Sequence, residues 1–309
     1  MSATVYVSRG RRRRRIAMVA LALSLLGVTS WKAADALVPV GSSARSGADG
    51  WGSVAWPGQG ESAVAVGGGR IHSAGRMRPV PIASLAKVMT ALVVLRKSPV
   101  TTQDPDFTMT ISAADVEDTA RRRTDGQSVV TVVAGERLTE RQALQALLLP
   151  SANNIAIALA RAVSGSSGAF VDEMNDEARR LGMTSTHYTD PSGYDPATVS
   201  TASDQVVLAR AAMRIRSFAD MVAGRVGVLP YAGAVRNTDT LLGHDGFVGI
   251  KTGSDSAAGG CFMFAASSPS RPGLIYGAVL GQRGGPLIAA GLTAGRNLVD
   301  SVRSALNLS

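Results

Sequence analysis

A chain of 309 residues with 45% hydrophobic and 18% charged side chains has the ordinary mixture of a globular protein and is long enough to bury a full core. Its net charge of +9 raises nucleic-acid binding, yet residues 1–36 hold seven basic residues against one acid and the rest holds 25 basic against 22 acidic, so the folded body has no strong basic excess. The single cysteine, Cys261, excludes an internal disulfide.

In chain order, Arg9 and Arg11 to Arg15 precede a 13-residue apolar run at 16–28, and Ala34-Asp35-Ala36 offers small residues for cleavage. The run is short of the ~20 residues a spanning helix needs. Residues 1–36 therefore read as a signal peptide or an uncleaved N-terminal membrane anchor, with the body exported in either case. Residues 37–60, rich in Gly, Ser and Pro, read as a linker. The domain is expected over 61–309. "SAVAV" and "RIHSA" flank "GGG" as a hairpin. Residues 84–96, apolar at 85, 88, 89, 92, 93 and 95, predict a mostly buried helix. Strands are expected at 107–112 and 127–133, and helices at 138–149, 154–163, 169–181 and 203–215. "TDPSGYDP" at 189–196 is turn chemistry. After Gly243 come three strands, "GFVGIKTG", "CFMFAAS" and "LIYGAVLG", then a helix from 287 to 306. Strands at both ends with helices between predict an α+β domain, with one antiparallel sheet and a helical lobe.

Three stretches carry chemistry. The first is "PIASLAKVMT". Only four of the 32 basic side chains are lysines, and one of them, Lys87, stands three residues after Ser84. On a helix, i and i+3 share a face, so amine and hydroxyl can meet. Serine needs a base to become nucleophilic. A buried lysine can serve, whereas arginine cannot deprotonate. The plain alternative is a helix cap followed by a solvated lysine. The second stretch, "LLLPSANNIAIALA", places Ser151 and Asn153 at a turn between apolar helices. A proton relay and an amide-binding group are one reading, and a helix cap is the other. In the third, "GFVGIKTGSDSAAGGC", a strand carries Lys251, Thr252 and Gly253. The cation suits a carboxylate, and its charge near Lys87 would keep that amine neutral; the glycine allows close backbone approach. An edge-strand lysine before a turn is the alternative.

Ser-x-x-Lys, then Ser-x-Asn, then Lys-Thr-Gly form a specific constellation. With "EMNDEARRLGMTSTHYTDPSG" and "STASD", the chain from about 60 to 309 resembles the D-alanyl-D-alanine carboxypeptidases among the low-molecular-mass penicillin-binding proteins. The resemblance implies a β-lactamase/transpeptidase-like fold and a serine acyl-enzyme mechanism on peptidoglycan stem peptides ending in D-Ala-D-Ala, with β-lactams as inhibitors and no cofactor. It implies Ser84 as nucleophile, Lys87 as its base and Ser151 as proton shuttle to the leaving D-alanine. Asn153 would hold the peptide amide, and Lys251 and Thr252 the terminal carboxylate. Gly253 would leave room, the N–H groups of Ser84 and Ser254 would form the oxyanion hole, and Arg283 is a further candidate for the carboxylate. The family often has an acid after the Ser-x-Asn asparagine, where this chain has Asn154. With no domain after residue 309, anchoring is expected at the N-terminus.

A β-lactamase shares the motifs, but no acid between 160 and 200 has the Leu-Asn context of the class A deacylating glutamate. A non-catalytic penicillin sensor or wall-binding module is the other alternative. His72, His187 and His244 lack metal-ligand spacing, and no Gly-x-Ser-x-Gly frames Ser84. Cys261 is expected to pack inside.

Overall fold

The computed structural model describes residues 50–99, 107–270 and 272–308. The leader at 1–36 lies outside them, as does most of the stretch read as a linker. Residues 50–60 are not a free tether. Trp51–Ser53 forms a 3-10 turn, the Trp51 ring stacks on His72 at 3.8 Å, Val54 is buried, and the Ala55 N–H donates to Ser301 Oγ (2.6 Å). Two tryptophans in the stretch give it apolar area to bury, which outweighs its Gly/Ser/Pro composition.

The hairpin β1 (Glu61–Val66) and β2 (His72–Ala74) is followed by β3 (Val80–Pro81), a 3-10 turn at Ala83–Leu85 and α1 (Ala86–Lys97). The middle of the chain holds β4 (Thr108–Thr110), α2 (Ala113–Thr124), β5 (Arg137–Thr139), α3 (Glu140–Leu148), α4 (Asn153–Ser164) and α5 (Ser167–Leu181). Next come β6 (Val199–Ser200), α6 (Ala202–Met213), α7 (Arg216–Val222) and the hairpin β7 (Val226–Leu229) and β8 (Gly233–Arg236). The last elements are β9 (Phe247–Asp255), β10 (Gly259–Ser267), β11 (Leu274–Gln282) and α8 (Leu287–Ala305).

The main sheet has the order β2-β1-β11-β10-β9, antiparallel throughout. Period-two alternation gives each strand two apolar faces. Val64, Phe262, Phe264 and Val279 face α8 with Leu298, Val299 and Val302. Ala63, Ala65, Cys261, Met263 and Ala278 belong to the larger core with α1, α3, α4 and α6. Residues 86–95 of α1 are all buried, the behaviour of a helix that runs through the middle of a core. The α+β class and the joining of N- and C-terminal strands in one sheet agree with the sequence pattern.

One local expectation fails. Residues 127–133 are not a strand. Their backbone is bonded by side chains and a helix start instead. Ser128 O accepts the Asn153 N–H (2.8 Å), and Asn154 bonds both the N–H and the C=O of Val130 (3.2 and 2.9 Å). In addition, α2, α7 and the β7–β8 hairpin were not anticipated. α2 buries only Asp115 and Thr119, so it shows no apolar period; its one sequence signal is the Ser112–Asp115 capping box.

Asn154 explains why an amide stands where relatives of the resembled family often carry an acid. Its Nδ2 donates to Val130 O and Thr119 Oγ1 (both 2.9 Å), and Thr119 Oγ1 has already given its proton to Asp115 O (2.7 Å). A carboxylate here would face two acceptors. Asn154→Asp is expected to lower stability by roughly 2–4 kcal/mol at neutral pH, from lost bonds and a buried charge. The new carboxyl would have a raised folded-state pKa, so part of the loss is regained below that pKa and reappears as pH rises through it. Urea unfolding at pH 5 and pH 7.5 checks both the loss and its sign.

Candidate active site

Ser84 lies in the 3-10 turn just before α1, half-buried, and Lys87 lies in the first turn of the helix. Lys87 Nζ is 2.8 Å from Ser84 Oγ and donates to Ser192 O at 2.8 Å. The lysine is fully buried. Burial holds its pKa well below the usual lysine range, the Lys251 cation pushes it further down, Asp190 opposes, and Arg122 adds to the lowering. A neutral amine against a hydroxyl is an arrangement that can take the hydroxyl's proton.

Ser151 and Asn153 flank the entry to α4. The helix is N-capped by Ala152 with no side-chain cap bond, so neither polar residue serves as the cap that the local sequence allowed. Ser151 adopts a positive φ (65°) after Pro150, and its buried Oγ has no hydrogen-bond partner. Asn153 Nδ2 donates to Gln127 Oε1 (2.9 Å), while its buried Oδ1 is also without a partner. Buried polar atoms are normally satisfied; these two at one turn keep hydrogen-bonding capacity to spare.

β9 supplies the third wall. Lys251, 1% exposed, donates to Thr252 O (2.9 Å). Burial lowers its pKa to about 7, against the pull of Asp239, itself buried and raised to about 6. Thr252 Oγ1 lies 2.6 Å from Thr238 Oγ1. At Gly253 a Cβ would stand 3.1 Å from Ser84 N and 3.2 Å from Ile82 O, so the strand runs directly along the Ser84 turn. Ser254 follows, paired with Gly260 across the sheet. Cys261 pairs with Gly253 on β10; it is buried and its thiol is pushed up to about 12, as a packing residue should be.

Ser84, Lys87, Lys251 and Gly253 thus meet at one place, linked by contact or by charge. Arg283 makes no direct bond to that group. It is exposed, and its guanidinium donates to Ser256 O (3.3 Å) and Ala257 O (3.1 Å) in the turn between β9 and β10. Sequence reading missed the Ser192 carbonyl, Thr238, Asp239 and Gln127. The first is a backbone atom, invisible to side-chain motifs. "TDPSG" reads as a turn and as part of the family resemblance, with no role for its backbone.

The family model described as D-alanyl-D-alanine carboxypeptidase (Peptidase S11) matches residues 63–282, a span that contains all of these groups but Arg283. The chain belongs to the D-alanyl-D-alanine carboxypeptidase family. It is 38% identical over 216 residues to a D-alanyl-D-alanine carboxypeptidase of Mycobacterium tuberculosis, covering 67% of this chain and 69% of that one. A carboxypeptidase of that name from Streptomyces sp. strain K15 is 32% identical over 201 residues, covering 60% and 67%. Among solved structures, the Streptomyces K15 DD-transpeptidase superposes with a TM-score of 0.69 at 26% identity, over 81% of this chain and all of that one. A penicillin-binding protein homologue from Mycobacterium tuberculosis superposes with a TM-score of 0.69 at 32% identity, over 82% and 95%. The family match and the superpositions thus cover most of the chain, and the orphaned Ser151 and Asn153 atoms lie within the matched span.

Proposed function

We propose that this chain is a serine D,D-carboxypeptidase that removes the terminal D-alanine from peptidoglycan stem peptides, with Ser84 as nucleophile and Lys87 as its base. One observation carries the assignment of roles: a fully buried lysine amine 2.8 Å from a serine hydroxyl, with a second buried cation acting on it. Ser84 Oγ attacks the carbonyl of the penultimate D-alanine and its proton passes to Lys87. Negative charge on the carbonyl oxygen is met by the N–H groups of Ser84 and Ser254. The C–N bond breaks, and D-alanine leaves as an amine that takes its proton by way of Ser151. Water then attacks the acyl-enzyme ester, gives a proton to Lys87 and releases the shortened peptide, and Ser84 regains its proton. Asn153 holds the peptide amide and Lys251 with Thr252 the terminal carboxylate. Arg283, exposed beside the β9–β10 turn, is a further candidate for that carboxylate.

The substrate lies in the cell wall, so the domain works outside the cytoplasm. Its basic-plus-apolar leader is the natural export signal or anchor. The test is intact mass after incubation with penicillin. One stable covalent adduct mapped to Ser84, absent in Ser84→Ala, is expected, together with D-alanine release from a pentapeptide that the same change abolishes. Rapid return to unmodified mass with penicillin consumed would identify a β-lactamase. An adduct without D-alanine release would leave only a sensor.

A further inference from the structure

The turn that receives Lys87 is itself held by a carboxylate. Asp190 Oδ2 accepts the N–H of Ser192 (3.0 Å), the N–H of Tyr194 (3.2 Å) and the Ser192 hydroxyl. Its Oδ1 accepts the N–H of Gly193 (3.1 Å) and the Thr198 hydroxyl (3.0 Å). Five donors converge on one acceptor-only group, which an ionised carboxylate satisfies and an amide would not.

The gathered turn then docks on the start of α1 at three points. Pro191 O accepts from Thr90 Oγ1 (2.6 Å), and Ser192 O accepts from Lys87 Nζ (2.8 Å). Gly193, at φ 76°, sits so close that a Cβ would stand 1.9 Å from Ala83 O. From its other side Asp190 reaches Thr198, whose carbonyl takes the N–H of Ile82 (3.4 Å), two residues before Ser84. One carboxylate therefore ties the segment entering the Ser84 turn to the loop that grips Lys87.

We propose that Asp190 is a positioning residue for the acylation step: it fixes the 191–194 turn so that the Ser192 carbonyl holds the Lys87 amine on Ser84. The assignment rests on Lys87 being the base for Ser84. Asp190 acts through Ser192 and not on substrate. Its charge has a second consequence. The charged groups acting on Lys87 are Lys251 on β9, Arg122 on α2 and Asp190 on the loop, and only Asp190 favours the protonated amine. Loss of that charge makes Lys87 lose its proton more readily.

Two variants separate placement from charge, each read as the pH dependence of Ser84 labelling by a fluorescent penicillin. Asp190→Asn is expected to slow the plateau rate by up to about 10²-fold, the cost of a catalytic group displaced by roughly 1 Å, and to move the acid limb down by roughly 0.5–1 pH unit. Asp190→Glu keeps the charge but lengthens the arm. It is expected to slow the plateau and leave the limb in place. An Asn variant whose limb stays at the wild-type pH, or a Glu variant with the wild-type plateau, overturns the assignment. If one variant does not fold, the other decides. A wild-type enzyme that takes no label at Ser84 refutes the base assignment, and Asp190's role with it.

Discussion

Replacing Lys87 with arginine is expected to slow penicillin acylation of Ser84 by about 10²–10⁴-fold, the range that a general base contributes. The change keeps hydrogen-bond donors and roughly the length of the side chain, which is why it is informative. What it removes is the capacity to be neutral. Lys87 has no exposed surface, and burial is the first cause of its lowered pKa. A guanidinium in the same place cannot shed its proton, and it carries a charge that the neighbouring Lys251 repels. The variant is therefore expected to be less stable as well, because it confines a permanent cation where the wild type accommodates a neutral amine. A thermal melt beside the labelling assay separates the effects: Lys87→Met, which removes the base without adding charge, should acylate as slowly as the arginine variant but melt closer to wild type. Labelling by the arginine variant within tenfold of wild type would remove the base from the mechanism.

The scarcity of lysine drew attention to position 87, and the reasons for its legibility are local. Ser84 and Lys87 are one helical step apart, so their meeting follows from backbone geometry alone. The apolar runs of β10 and β11 likewise mark them as strands buried on both faces. What escaped notice is long-range or polar. The carbonyl that completes the Lys87 amine's bonding lies 105 residues away and belongs to a backbone atom. Thr238, which meets Thr252, lies on a segment between β8 and β9 with no side-chain pattern to mark it. Residues 127–133 are rich in β-branched side chains like a strand but lack a partner strand, because Asn153 and Asn154 have taken backbone groups that a ladder would use. Propensity describes a segment's readiness, whereas its partners settle the outcome. Sequence places Arg283 at a strand exit, and there its fork of donors meets the carbonyls of the β9–β10 turn.

Lys251→Met should produce two changes that no single loss of packing imitates. The first is in substrate binding. A buried cation that meets a carboxylate contributes about 1.5–3 kcal/mol, so KM for a peptide ending in D-alanine is expected to rise about 10–100-fold. A peptide whose C-terminus is amidated lacks that partner and should lose little. The second change is in the acid limb. Lys251 is one of the cations that depress the Lys87 pKa; without it, Lys87 holds its proton to higher pH and the acid limb moves up. In the wild type the free enzyme's Lys251 titrates at about 7, so carboxylate binding should weaken as pH rises through that value, and the variant should lose this dependence. The two lysines thus need opposite states at one pH, Lys87 neutral and Lys251 charged. Burial lowers both, while Asp239 supports charge on Lys251 and Lys251 in turn opposes charge on Lys87. Profiles of kcat/KM for the acid and amide peptides, in wild type and variant, read all of this. A variant that still prefers the acid peptide by the wild-type ratio would show that the carboxylate is held elsewhere.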